Sequence, residues 1–314
     1  MFQDIGPHVF SNEYSIMNPG PEDIMIVQRG RELLVCEVKE DADEAASCGN
    51  HDNAPHGSDE TGRHGNHENR TVRRTLPTAA QIGACCPEAA EKAFYLFSID
   101  RKHFFCAGTE VPETDELKYA SVMVFRELEP DHMGFGGAVG WQLASWYDLH
   151  RYCGRCGTRT VRSDKERAIL CPSCGHAYYP RISPVVIIAV VDGDRILLTR
   201  YNRAGYRRHA LVAGFVEIGE TLEDAVEREI MEEVGLHVKN IRYCESQPWP
   251  FSSSLIAGFF ADVDGDPTIH LNTDGQEELS EGVWIQREDL VLEDSNLSLT
   301  WDMIRKFKEN RYPL

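Results

Sequence analysis

The sequence predicts an α+β protein in three parts: a mostly-β N-terminal domain over residues 1–150, a four-cysteine ribbon over 151–180 and a C-terminal α/β domain over 181–314. Three observations carry this expectation. Short apolar runs dominate residues 1–38 and 92–128. Cys153, Cys156, Cys171 and Cys174 are spaced CX2C-X14-CX2C. Beyond Pro184, strand-like runs flank a single strongly amphipathic helix. At 314 residues and 42% hydrophobic content, the chain can hold about two packed domains.

In the N-terminal part, Ile24–Val27, Leu33–Val38, Phe94–Ile99 and Ser121–Leu128 read as strands. Between them, Lys39–Thr71 contains no Val, Ile, Leu, Met, Phe, Tyr or Trp. Such a segment cannot bury a core, and a disordered insertion is expected. Its His51, His56, His64 and His67 are irregularly spaced and read as part of a polar loop rather than as metal ligands. Trp141–His150 reads as a helix leading into the ribbon.

The cysteine spacing is that of a zinc site. Gly154, Gly157 and Gly175 suit the tight knuckles of a zinc ribbon. Four thiolates leave no protein position open, so the zinc is expected to be structural. Cys36, Cys48, Cys85, Cys86, Cys106 and Cys244 lack paired metal spacing and read as buried or incidental thiols.

In the C-terminal part, Pro184–Val191 and Arg195–Arg200 form an expected hairpin around Asp192-Gly193-Asp194. Strands are expected near Ile241–Glu245, Leu255–Val263 and Gly282–Ile285, with a final helix near Trp301–Asn310. The amphipathic helix follows Thr221, which with Asp224 resembles a capping box. Leu222, Ala225, Val226, Ile230 and Val234 recur at helical spacing and form its buried face, and Gly235 ends it. Glu229 and Glu233 stand one turn apart, with Glu232 within roughly 60° of Glu229. Like charges so close raise one another's pKa values, so the cluster predicts bound cations.

Gly214, Glu220, Arg228, Glu229, Ile230, Glu232, Glu233, Gly235 and Leu236 fill every specified position of the box GX5EX7REUXEEXGU, with U apolar. On that match the chain resembles a Nudix hydrolase. The resemblance implies an α/β/α sandwich and a catalytic array of Glu220, Arg228, Glu229, Glu232 and Glu233. Ten residues after the box, Ser246-Gln247-Pro248-Trp249-Pro250-Phe251 looks like the SQPWPF signature of the NADH pyrophosphatase branch, to which the preceding zinc ribbon also belongs. Ser252 departs from the proline usual there.

The branch implies magnesium or manganese held by Glu229, Glu233, Glu278 and the backbone carbonyl of Ala213. Glu277 and Glu281 are alternatives to Glu278. Ser246, Gln247, Pro248, Trp249, Pro250, Phe251, Ser252 and Ser253 are implied to line a dinucleotide pocket in which Phe215 stacks on a base. Tyr179 is implied to reach the ligand, from the partner subunit of a homodimer. The implied reaction is hydrolysis of the central diphosphate of NAD(H) to a nicotinamide mononucleotide and AMP, with Glu232 or Glu233 taking the water proton. The branch also resembles enzymes that remove NAD caps from RNA 5′ ends. A third reading, from another class, is a non-catalytic zinc-ribbon binding module on a degenerate hydrolase fold.

Net charge is −19, which argues against broad affinity for nucleic-acid backbones. A local basic strip at Arg151–Arg167 and Arg200–Arg208 leaves room for one short phosphate chain. No run approaches the roughly 20 apolar residues of a membrane span, and Met1–Gly20 lacks signal-peptide character. The C-terminal Tyr312-Pro313-Leu314 is not a peroxisomal ending. A cytoplasmic protein without membrane partners is expected.

Overall fold

A computed structural model describes residues 1–39, 72–202, 208–272, 275, 277–292 and 298–313. Beyond Lys39, which closes a strand, the insertion expected at Lys39–Thr71 lies outside the described residues, with its four histidines and Cys48. The chain divides into two compact units, Pro7–Tyr178 and Met1–Gly6 together with Tyr179–Leu314.

The Pro7–Tyr178 unit contains two four-stranded sheets and the ribbon. In one sheet Phe94–Ile99 and Lys102–Cys106 form a hairpin, flanked by Phe10–Ser11 and by Ile24–Ile26, which runs parallel to Lys102–Cys106. In the other, Glu32–Lys39 pairs with Val72–Thr75 and Leu117–Ser121. The strand expected over Ser121–Leu128 is instead a 3-10 helix at Val122–Arg126. Its cause is local: the Ser121 side chain accepts from the Met123 amide and caps the turn. The helix expected at Trp141–His150 is longer, spanning Asp131–Leu149. Its first half carries Gly136, Gly137 and Gly140, poor helix formers that hid it. A Cβ at Gly136 would lie 2.6 Å from the Phe104 ring, and one at Gly140 2.6 Å from Ile26. These glycines therefore let the helix approach the sheet closely.

In the second unit, β1 (Ser183–Asp192), β2 (Arg195–Tyr201), β3 (Val212–Phe215), α1 (Leu222–Val234), β4 (Val238–Trp249), β5 (Ser254–Val263), β6 (Leu279–Gln286) and α2 (Leu299–Lys308) form an α/β/α sandwich. The mixed sheet has the order β4-β5-β1-β2-β6, with β3 pairing antiparallel to β1 and β5 parallel to it. Successive side chains of a strand point to opposite faces. Accordingly Val186, Ile188 and Val190 pack with Ala225, Val226, Ile230 and Val234 of α1. Ile187, Ala189 and Val191 pack with Leu299, Met303, Ile304 and Phe307 of α2. Burial on both faces is why β1 reads as one continuous apolar run.

The Met1–Gly6 segment belongs to this unit through Gln247, a fully buried side chain. The Gln247 amide donates to Gln3 Oε1 (2.9 Å), and its Oε1 accepts from the Leu299 amide (2.8 Å). Gln3 in turn donates to the Ser246 carbonyl. Replacing Gln247 by leucine should destabilise this unit by about 1–3 kcal/mol, because the Leu299 amide and Gln3 lose their partner. Urea unfolding checks this, and an unchanged midpoint would refute it.

Candidate active site

The N-terminus of α1 is fixed as its sequence requires. Thr221 Oγ1 accepts from the Asp224 amide and Asp224 Oδ2 from the Thr221 amide, both at 3.0 Å. Gly235 ends the helix at φ 66°, and its amide donates to the Met231 carbonyl. With both ends set, the face bearing Glu229, Glu232 and Glu233 is turned toward β3.

Gly214 on β3 explains why the box needs glycine. A Cβ there would lie 1.9 Å from the carboxyl carbon of Glu229. Only a bare backbone lets that carboxylate sit against the strand. Arg228 organises the neighbouring charges. Its Nε and one terminal nitrogen donate to the two oxygens of Glu220 (2.5 and 2.9 Å). The other terminal nitrogen reaches Glu229 (2.7 Å) and Glu232 (2.9 Å), and the Phe215 carbonyl accepts a further bond.

These contacts separate the carboxylates electrostatically. The Arg228 guanidinium, aided by the Glu217 amide, holds the Glu220 carboxyl down at about 2. Burial pushes the Glu229 carboxyl up despite Arg228, with Glu232 and Glu278 adding repulsion. Glu233 is buried, only 6% exposed.

Ala213, Gly214, Glu229, Glu232, Glu233 and Glu278 share the wall of a cavity of about 980 Å³. Of the two alternatives, Glu281 pairs with Arg200 at 2.6 Å, and Glu277 is not among the lining residues. Clustered carboxylates are hard oxygen donors, which suit magnesium or manganese. The observation that favours such a cation is geometric: Glu229, Glu232, Glu233 and Glu278 share one cavity wall, and Arg228 beside them is already divided among Glu220, Glu229 and Glu232.

The ribbon has the geometry its spacing predicts. The four cysteine sulfurs all lie within 4.8 Å of one another, with Cys153–Cys174 at 3.7 Å and Cys156–Cys171 at 3.5 Å. Tetrahedral zinc with bonds of about 2.3 Å needs sulfurs about 3.8 Å apart, so the cluster fits the ion. Gly157 and Gly175 turn the two knuckles at φ 72° and 73°. Tyr178 donates to the Cys153 sulfur (3.3 Å), which draws that thiol down to about 6 and favours the ligating thiolate. The other described cysteines form no disulfide, and burial pushes the Cys106 thiol up to about 12.

Residues 181–307 match the NUDIX domain family, and residues 148–179 match the NADH pyrophosphatase zinc ribbon domain. The chain carries a Nudix domain. Over 154 residues it is 48% identical to the NAD-capped RNA hydrolase NudC of Escherichia coli (strain HS), and to that of Shigella boydii serotype 18. The matches cover 49% of this chain and 58% of each relative, so the chain spans little more than half the length of the curated relatives it matches. Among solved structures, a NUDIX hydrolase from Nitrosomonas europaea aligns over 51% of this chain and 92% of its own, with 23% identity and a TM-score of 0.44.

The SQPWPF segment of the Nudix domain divides in two. Trp249 and Ser252 line the cavity, joined by Tyr201, Ser254, Ile256 and Asn272, which sequence reasoning did not single out. Ser252 and Ser254 share a hydroxyl contact of 2.9 Å. Gln247 and Pro250 are buried, and Phe251 packs between Trp249 and Phe2. Ser246 takes part through its carbonyl, Pro248 pairs with Leu255 in the sheet, and Ser253 turns the chain at φ 54°. Phe215 lines the cavity and is 53% exposed, whereas Tyr179, equally exposed, is not among the lining residues.

Three side chains of the basic strip are engaged within the Pro7–Tyr178 unit. Arg151 pairs with Asp148, Arg162 lies 4.0 Å over the Phe94 ring, and Arg167 donates to the Asn12 carbonyl. Among the described residues, no helix is long and apolar enough to cross a membrane.

Proposed function

We propose that the protein hydrolyses the diphosphate bond of NAD(H), releasing a nicotinamide mononucleotide and AMP. The observation that carries this reading is Glu229 seated against Gly214 and bridged through Arg228 to Glu220 and Glu232, beside a cavity walled by Trp249 and Phe215. At about 980 Å³ that cavity lies at the upper end of ligand pockets, as a dinucleotide requires. Magnesium or manganese, held by Glu229, Glu233, Glu278 and the Ala213 carbonyl, would polarise the phosphoryl oxygens and acidify the attacking water.

The chain's own residues divide the remaining work. Arg228, paired in two places with an ionised Glu220, fixes the orientation of Glu229 and Glu232. Both oxygens of Glu220 are engaged by Arg228, and in this reading Glu232 or Glu233 takes the water proton. The aromatic faces of Phe215 and Trp249 offer stacking surfaces for the bases. Removal of NAD caps from RNA is the second reading, favoured by the NAD-capped RNA hydrolase name of the relatives. The non-catalytic module is disfavoured because every charged position of the array is filled and Arg228 joins Glu220, Glu229 and Glu232. A cytoplasmic site suits a four-thiolate cluster and the free thiols among the described cysteines, and a homodimer would give the exposed Tyr179 a partner's pocket to enter.

Chromatography after incubation with manganese and NADH, ADP-ribose or a short NAD-capped RNA tests the proposal. Mononucleotide plus AMP, fastest from NADH, is the expected result. Faster release from capped RNA would favour decapping, no turnover of any substrate would overturn both, and light scattering reads the dimer. Gly214→Ala should lower turnover by at least about 10²-fold, because a displacement of about 1 Å at a catalytic group costs that much. An Ala variant with normal kinetics would remove Glu229 from its assigned place.

A further inference from the structure

Asn272 stands between the two elements that carry the acidic residues of the cavity. Its backbone amide donates to the carbonyl of Glu233 (2.9 Å), and the His270 amide donates to that of Val234 (2.9 Å). The last carbonyls of α1, which the helix itself leaves without donors, are satisfied in this way. The Asn272 side chain then turns to the first residue of β6. Its Nδ2 donates to the Leu279 carbonyl (2.9 Å) and its Oδ1 accepts from the Leu279 amide (3.0 Å). One residue thus grips Glu233's backbone on one side and, on the other, both polar groups of the residue next to Glu278.

Two further features hold Glu278 from the opposite side. The Asn202 amide donates to the Glu278 carbonyl (2.7 Å), and the Asn202 side chain to that of Glu277 (3.2 Å). Pairing of β2 with β6 shifts between Arg200 and Tyr201, which oppose Glu281 and Leu279, so Ser280 is bulged out. A bulge re-aims the neighbouring side chains, and such irregularities collect beside active sites. Asn272 itself has φ 56°, a left-handed conformation that asparagine tolerates better than most residues.

We propose that Asn272 is a positioning residue that fixes the spacing between Glu233 and Glu278, and thereby the affinity of the site for its divalent cation. The inference rests on the reading of those two glutamates as cation ligands. It does not depend on which diphosphate is the substrate. Groups that orient ligands typically change metal affinity by about 10–100-fold when removed.

The test is manganese binding to the full-length, zinc-loaded protein, read as free Mn2+ by electron paramagnetic resonance. Asn272→Gly keeps the left-handed backbone available while deleting both side-chain bonds. It should weaken Mn2+ binding by at least about tenfold with thermal unfolding preserved. In activity assays the manganese needed for half-activation should rise in parallel. Asn272→Ser, neutral like asparagine but too short to span both polar groups of Leu279, is the second variant should the glycine variant not fold, and it should weaken Mn2+ in the same direction. Wild-type Mn2+ affinity in a folded Asn272 variant would overturn the inference. Failure of Glu233→Gln to weaken Mn2+ would instead overturn the underlying reading of the ligands. Clamp-dependent Mn2+ binding without NADH turnover would leave the inference standing and remove only the substrate assignment.

Discussion

Glu233→Gln should lower kcat/KM for NADH by about 10²–10⁴-fold or more and leave the protein folded. Glu233 sits on the buried side of α1, 6% exposed, and shares the cavity wall with Glu229, Glu232 and Glu278. Glutamine preserves the shape of the side chain. It removes one negative charge from a buried position that shares its cavity with three other carboxylates. Stability should therefore hold or rise as activity falls, the trade-off expected where an active site stores unfavourable charge. Steady-state kinetics at saturating manganese, paired with a thermal melt, separates the two effects. A fully active variant would sink the hydrolase assignment, and a collapsed melting curve would make Glu233 a structural residue.

Helix α1 was legible because its meaning is local. A capping box, a five-residue apolar face, an αL glycine and a carboxylate face are all written within residues 214–236, and the structure keeps each in place. The ribbon was legible for a similar reason, since two CX2C pairs can close around one ion only by bringing distant knuckles together. Gly214 was readable as a fixed position of the box, and only the fold identifies Glu229 as the neighbour that requires it.

What could not be read from the sequence depends on partners remote along the chain. Gln247 and Trp249 are two residues apart in one motif, yet one is buried against Gln3 and Leu299 while the other faces the cavity. No local pattern separates them, because the deciding contacts lie 244 and 52 residues away. Asn272 gave no signal either: a lone asparagine beside a loop reads as a turn residue until Glu233 and Leu279 are seen on either side of it. The long helix at Asp131–Leu149 escaped because its glycines are there for packing against Phe104 and Ile26, and tertiary contact overrides their weak propensity.

Cys171→Ser should abolish the zinc site and unfold the ribbon. Cys171 is 2% exposed and its sulfur meets Cys156 while accepting from the Cys174 amide, so a hydroxyl there leaves three thiolates and a buried polar group without a cation. The ribbon's strands, Val161–Arg162, Ile169–Leu170 and Ala177–Tyr178, are two residues each and cannot fold on their own hydrophobic burial. Zinc, worth on the order of 10–16 kcal/mol in comparable small sites, must supply the difference. Zinc content should fall from one per chain to near none, and limited proteolysis should cut within residues 151–178. A variant that keeps its zinc and resists the protease would overturn the structural role. Every residue of the carboxylate cavity belongs to the other compact unit, so hydrolysis measured with manganese restored distinguishes the two metals. Turnover retained per folded Nudix domain fits a ribbon that only supports structure, whereas loss of turnover with that domain still folded would mean the ribbon contributes to substrate binding.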